Sequence, residues 1–236
     1  MYTVKNYFFL FFFPFLAVFL SCSARIDGVV MGGGAAEINV RASLGPRTVS
    51  LVQSIRGFMG DTRNTPTLDG GAISRSLSVA SGIKSASLKN TGSEALEGTI
   101  VISNVGDFLL SEKDMFITYS EGLTSSSIAV VLDRNSAPLL ISRLSPEVEE
   151  YLSALMAPVV LGEYMSSGDY LSLIGMVYGR PLADEIAAAR INASIEFPRT
   201  VTSVSGGSSN GRRVEFDIPL LDILVLEKPL RYEVKW

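Results

Sequence analysis

Apolar residues recur along this chain with two different periods, and the switches between them divide it into elements. Residues 24–30 and 36–43 flank Gly32, Gly33 and Gly34, and Ile38 and Val40 alternate with Glu37, Asn39 and Arg41. That alternation predicts a β-hairpin. Pro46 then stands where the first residue of a helix favours proline, and Val49, Val52, Ile55 and Phe58/Met59 follow at helical spacing. Residues 61–67 form a polar loop. Asp69 can cap a short helix that carries Ile73 and Leu77 and is closed by Gly82. Strands are predicted over 83–90, 96–103, 115–120 and 127–133, separated by Gly, Ser, Asn and Asp turns.

The middle of the chain changes period. Ser145, Pro146 and Glu147 combine a cap, a first-turn proline and a first-turn acid, and Val148, Tyr151, Leu152, Leu155 and Met156 continue as one helical stripe. Leu171, Ile174, Val177 and Tyr178 make a second stripe, and Pro181 opens a third helix with Leu182, Ile186 and Ala189. Alternation then returns. Ile195 and Phe197 alternate with Ser194 and Glu196, and residues 205–211 (SGGSSNG) read as a hairpin loop. Val214, Phe216 and Ile218 follow, then Leu230, Tyr232, Val234 and Trp236, which alternate with Arg231, Glu233 and Lys235. Such alternation marks antiparallel strands with one buried face. The predicted class is therefore α+β: an antiparallel sheet covered on one face by helices, with a helical insertion at about 137–190 in the second half. There is no internal repeat.

Residues 1–21 stand apart. Lys5 precedes a phenylalanine-rich apolar run over 7–20, whose length suits a signal peptide better than a membrane span of about 20 residues. The run ends Phe19-Leu20-Ser21-Cys22, a relaxed lipobox. Cys22 is thus the expected lipid-bearing first residue of a mature chain, its thiol taking a diacylglyceryl group whose two chains suffice for stable anchoring. The alternative is an ordinary signal peptide cut elsewhere, with Cys22 an incidental thiol. The rest, 22–236, is expected to be a single domain. Only Ser23, Ala24, Arg25, Ile26, Asp27 and Gly28 lead into strand-like sequence, each reaching roughly 3.3 Å. The domain is therefore expected to sit on the bilayer surface.

Composition narrows the chemistry. There is no histidine, which removes Ser-His-Asp and Cys-His nucleophiles and histidine-ligated metals. Cys22 is the only cysteine, so disulfides within the chain and thiolate clusters are excluded. All acidic residues but only 19 of the 20 basic ones follow Ser21, so the mature chain is one unit more negative than the −4 of the whole. An acidic chain without a basic run is a poor nucleic-acid ligand. No cofactor or metal is expected.

The remaining motifs have ordinary explanations. Ser81-Gly82-Ile83-Lys84 matches the bare S-x-x-K pattern, which needs both side chains one helical turn apart, whereas Gly82 ends the helix and Lys84 begins a strand. Gly32 to Gly34 precede a strand rather than a helix N-terminus, so they read as a turn and not a phosphate loop. Glu149-Glu150 and Asp184-Glu185 are adjacent on helices and point about 100° apart, which suits solvated faces. Asp217 and Asp222 suit turn or capping roles. More informative are the apolar runs 157–161 and 220–226. They are either ordinary core or part of a groove between sheet and helices that accepts an acyl chain. In the groove reading the lining residues are Leu155, Met156, Ile174 and Val177.

Phe197-Pro198, the run Val201-Thr202-Ser203-Val204, and Asn210-Gly211-Arg212-Arg213-Val214-Glu215-Phe216 with its Leu-rich tail resemble the LppM-like lipoprotein family. Residues 83–109, with Leu96-Glu97-Gly98-Thr99-Ile100, and the relaxed lipobox also look like uncharacterised lipoproteins of spirochaete type. Phe216 stands where many members of the LppM-like family carry tryptophan. The resemblance implies a lipid- or glycolipid-interacting envelope lipoprotein without established enzyme activity, and carries over no functional residue except Cys22. The expected protein is a non-enzymatic, membrane-anchored envelope lipoprotein that binds lipid or another apolar ligand. The alternatives are a structural or assembly lipoprotein that binds a protein partner, and an enzyme restricted to carboxylate and Ser/Lys chemistry. Ser23 in place of an aspartate tilts sorting toward the outer membrane.

Overall fold

The computed structural model describes residues 23–58, 66, 68–110, 117–141, 153 and 155–236. Cys22, most of the 61–67 loop, and the helix start at Ser145 with Val148, Tyr151 and Leu152 lie outside them, as do Glu149 and Glu150. The class is α+β, with two sheets.

The predicted hairpin forms as β1 (Ser23–Val30) and β2 (Ala36–Ser43), in register from Ser23 opposite Ser43 to Val30 opposite Ala36. Its turn holds Gly33 and Gly34 at φ 79°, a left-handed conformation that glycine enters without a Cβ clash. Five more strands complete the larger sheet. They are β3 (Ile83–Asn90), β4 (Ala95–Ile102), β7 (Arg190–Glu196), β9 (Ser208–Asn210) and β10 (Arg213–Pro219). The order is β3-β4-β2-β1-β7-β10-β9. All its neighbours are antiparallel except β1 and β7, which run parallel, so the sheet is mixed. Alternation reports a buried face but not the direction of the neighbouring strand. A parallel pair needs a long crossover, and here the crossover spans everything between Val30 and Arg190.

A second, wholly antiparallel sheet has the order β5-β6-β11-β8, built from β5 (Ile117–Glu121), β6 (Ser126–Leu132), β8 (Ser203–Ser205) and β11 (Leu230–Lys235). This corrects the expectation of one sheet covered by helices, because the apolar faces of the two sheets meet each other. Residues 205–211 are likewise not a hairpin loop. β8 pairs with β11 and β9 with β10, so Gly206 and Gly207 carry the chain from one sheet to the other.

The helices are α1 (Pro46–Phe58), α2 (Gly70–Ser78), α3 (Val105–Leu110), α4 (Ser136–Ile141), α5 (Ala157–Val160), α6 (Ser167–Val177), α7 (Arg180–Ala188) and α8 (Leu220–Val225). Asp69 caps α2 by accepting the Ala72 N–H at 2.9 Å, as its position predicts. Helix α3 is not marked by the apolar periodicity. Most helices gather at one end of the two sheets. Helix α1 follows the end of β2, α4 follows β6, α7 leads into β7, and α8 joins β10 to β11. They pack on one another as a cap, with α6 on α7 and α8 against α5, α6 and α7. The capped end holds Ser23, Ser43, Arg190 and Pro219 of the large sheet and Leu132 and Leu230 of the small one.

Candidate functional site

A cavity of about 310 Å³ lies between the two sheets. Its walls follow from strand period. Every second residue of a strand faces one side, so β1 presents Ile26, Gly28 and Val30, β7 presents Ile191, Ala193 and Ile195, and β11 presents Leu230, Tyr232, Val234 and Trp236. Leu77 of α2, Phe108 of α3 and Ile223 of α8 also contribute. The wall is almost wholly carbon.

Small residues on the large sheet's inner face admit their larger neighbours. Gly28 and Ala193 stand among isoleucines, and the Ile195 side chain occupies the space over Gly28. A Cβ built on Gly28 would come within 2.7 Å of Ile195 Cδ1. Away from the helical cap the cavity meets an aromatic cluster, in which the Trp236 ring lies 4.5 Å from Phe197 and 6.4 Å from Tyr119. Phe216 and Tyr232 meet edge to face at 5.5 Å. Burial raises the pKa of the Tyr119 and Tyr232 phenols, with the Glu121 charge adding to the first and that of Asp222 to the second. Both phenols are therefore neutral hydrogen-bonding groups at physiological pH. Tyr119 donates to Glu121 at 3.3 Å.

Nothing in this wall supplies a nucleophile or an acid–base pair. What it can do is shelter hydrocarbon from water. A single water needs only about 10–15 Å³, and cavities lined by aliphatic and aromatic carbon favour apolar guests over solvent. At 310 Å³ this one is at the lower end of the small-ligand range of roughly 300–1,000 Å³.

The residues expected to line an apolar site are elsewhere. Leu155, Met156 and Ile174 are buried in the cap, Val177 is 60% exposed on α6, and none of the four lines the inter-sheet cavity. The reason is the face that α6 buries. Tyr170 and Ile174 pack inward and the Tyr170 hydroxyl donates to the Leu155 carbonyl at 2.8 Å, while Met176 and Val177, in the last turn of α6, are exposed. Of the two apolar runs, 220–226 is core, with Ile223 alone reaching the cavity, while 157–161 buries Pro158 and Val159 and exposes Val160 and Leu161.

The polar motifs have structural partners. Ser81 lies in a turn with Gly82 at φ 75° and Lys84 is on β3, so the two diverge. Asp184 pairs with Arg180 at 3.1 Å, while Glu185 accepts the backbone N–H groups of Arg47 and Thr48 at 3.1 and 2.8 Å. Asp217 lies 4.0 Å from Arg190. Burial raises the pKa of Asp222, opposed by the Arg190 charge. Among the described residues there is no group of three or more carboxylates or thiols placed to hold a metal, and no helix long and apolar enough to cross a membrane.

No protein-family profile matches the chain, and no curated protein sequence does. Among solved structures, the NMR structure of the folded domain of the Mycobacterium tuberculosis LppM protein is similar, with a TM-score of 0.40 at 11% identity. The alignment covers 90% of this chain and 87% of that one.

Proposed function

We propose that this protein is an envelope lipoprotein, anchored through acylated Cys22, that holds an acyl chain or similar apolar ligand between its two sheets. The cavity carries the reading. Its wall is almost wholly carbon over a volume of about 310 Å³, large enough for an acyl chain and without groups that would hold water. A site with no polar wall selects for hydrocarbon and leaves a ligand's headgroup outside. The anchor places lipid within immediate reach, and Ser23 after the cysteine favours the outer membrane. No step of this function needs chemistry, so the protein acts as a binder rather than an enzyme.

Two measurements test it. Cys22→Ser is expected to abolish labelling by a fatty-acid probe and to move the protein from the detergent phase to the aqueous phase; unchanged partitioning refutes the anchor. The same variant, free of its own acyl groups, is then delipidated and titrated with a fluorescent fatty acid. Saturable binding that Ala193→Phe weakens without lowering the melting temperature supports the cavity. A folded protein that shows no saturable binding, and no co-purified lipid by native mass spectrometry, refutes it.

A further inference from the structure

We propose that the outer face of the helical cap is a bilayer-docking surface, lying in the headgroup region of the membrane that carries the Cys22 anchor. This rests on the anchor reading above and adds which face of the domain meets the lipid.

The surface is apolar where a soluble domain is ordinarily polar. Leu161, Tyr164, Leu173, Met176, Val177 and Tyr178 are 38–78% exposed, and Val160 beside Leu161 is 40% exposed. Leu173, Met176 and Val177 share one face of α6 by their i, i+3, i+4 spacing, beside the stripe that buries Tyr170 and Ile174. Contiguous exposed apolar patches mark interaction sites. Tyr164 and Tyr178 have the amphipathic rings enriched at membrane–water interfaces. The Arg134 guanidinium, its Nε and Nη2 buried, lies 5.4 Å from the centre of the Tyr164 ring and backs it from the protein side.

The path of the chain identifies the occupant. Cys22 is one residue, and so 3.8 Å between Cα atoms, from Ser23, which pairs with Ser43 on one side and Arg190 on the other. Helix α7 crosses these same strand ends. Its Glu185 holds the amides just past β2, and its last turn leads directly into Arg190. Helix α6 packs along α7, so its exposed apolar side chains belong to the end of the domain where the chain reaches its anchor. A tether this short keeps that end against the bilayer, and an apolar face held there meets lipid before any soluble partner.

The test uses the full chain, processed and acylated in cells and reconstituted into vesicles of phosphatidylethanolamine and phosphatidylglycerol. Cys22 is the only cysteine and the anchor consumes its thiol, so Met176→Cys and Ser125→Cys each offer one site for an environment-sensitive fluorophore. Ser125 lies in the β5–β6 turn at the opposite end of the sheets. The Met176→Cys label is expected to shift to the blue on reconstitution and to be quenched by nitroxide-bearing lipids several-fold more than the Ser125→Cys label. Val177→Cys, exposed on the same face, should behave like Met176→Cys. Equally weak quenching at both ends, with the protein still floating with the vesicles, overturns docking and leaves the anchor standing. A blue shift that nitroxide lipids do not quench overturns it in favour of a second copy or another protein on this face. Protein that does not float at all overturns the anchor, and docking with it.

Discussion

Glu227 shows how a single half-buried side chain ties the cap to its neighbour. It accepts both the backbone N–H and the hydroxyl of Ser167, at 2.9 and 3.0 Å, at the start of α6. These hydrogen bonds hold its pKa below the ordinary 4.5. A carboxylate with a depressed folded-state pKa contributes stability that is fully present above its unfolded value and is lost as pH falls through the folded one. Glu227→Gln is therefore expected to melt lower than the wild type at neutral pH. The two curves should converge below pH 4.5, where the wild-type carboxyl takes up its proton. Thermal melts across that range check it, and a constant offset at all pH values would assign the bond no ionic part.

At the scale of elements, β11 carries the clearest test of register. Trp236 and Val234 are buried and Tyr232 and Leu230 half-buried, while Arg231 and Lys235 are exposed. Glu233 is half-buried and pairs with Lys235 at 2.9 Å. The C-terminal residue is held by backbone bonds in both directions, Trp236 N–H to the Ser126 carbonyl at 3.0 Å and Ser126 N–H to the Trp236 carbonyl at 2.8 Å. Trp236→Ala removes an indole packed on Phe197 and is expected to cost about 3–5 kcal/mol. Lys235→Ala, which breaks one exposed ion pair, should stay within about 0.5 kcal/mol. Denaturant unfolding of both variants decides it, and equal effects would mean that the last strand is not paired.

At the scale of the whole molecule, the proposed function gives the two sheets and the cap separate tasks, and two substitutions divide them. Ile174 is 4% exposed in the cap core and does not line the cavity. Ile174→Gln buries an amide without partners, expected to cost about 1–3 kcal/mol beyond the lost packing. The folded fraction should keep its affinity for fatty acid. Ala193→Phe should do the reverse, lowering affinity at unchanged or raised melting temperature. A ligand that binds only the folded state adds about 2.7 kcal/mol of stability at a hundredfold excess over Kd. Wild-type protein should therefore gain thermal stability on fatty-acid addition, and Ala193→Phe should gain little. Matched losses of affinity in both variants would place the site in the cap instead.

The local order of this protein follows from its sequence. Alternation defined β1, β2, β10 and β11, glycine and proline marked the turns and starts around Gly33 and Pro46, and Asp69 marked the start of α2. Each depends on period, backbone freedom or a cap, which act over a few residues. The absence of histidine and the lone cysteine likewise bounded the chemistry from composition alone. What faces a buried strand surface is another matter. Ile26, Ala193 and Tyr232 alternate correctly for burial under helices or under a second sheet, and only the packing chose the sheet. The parallel pairing of β1 with β7 and the crossing at Gly206 and Gly207 are likewise long-range. The apolar stripe of α6 misled for the same reason. Leu171 and Ile174 pack on the core as the stripe predicts, yet Val177 and Tyr178, at the C-terminal end of α6, are exposed. Ala193 was the available signal for a cavity, since a small residue among isoleucines leaves space only when an opposing wall exists. That wall is tertiary, because the buried area that stabilises it comes from strands far apart in the chain.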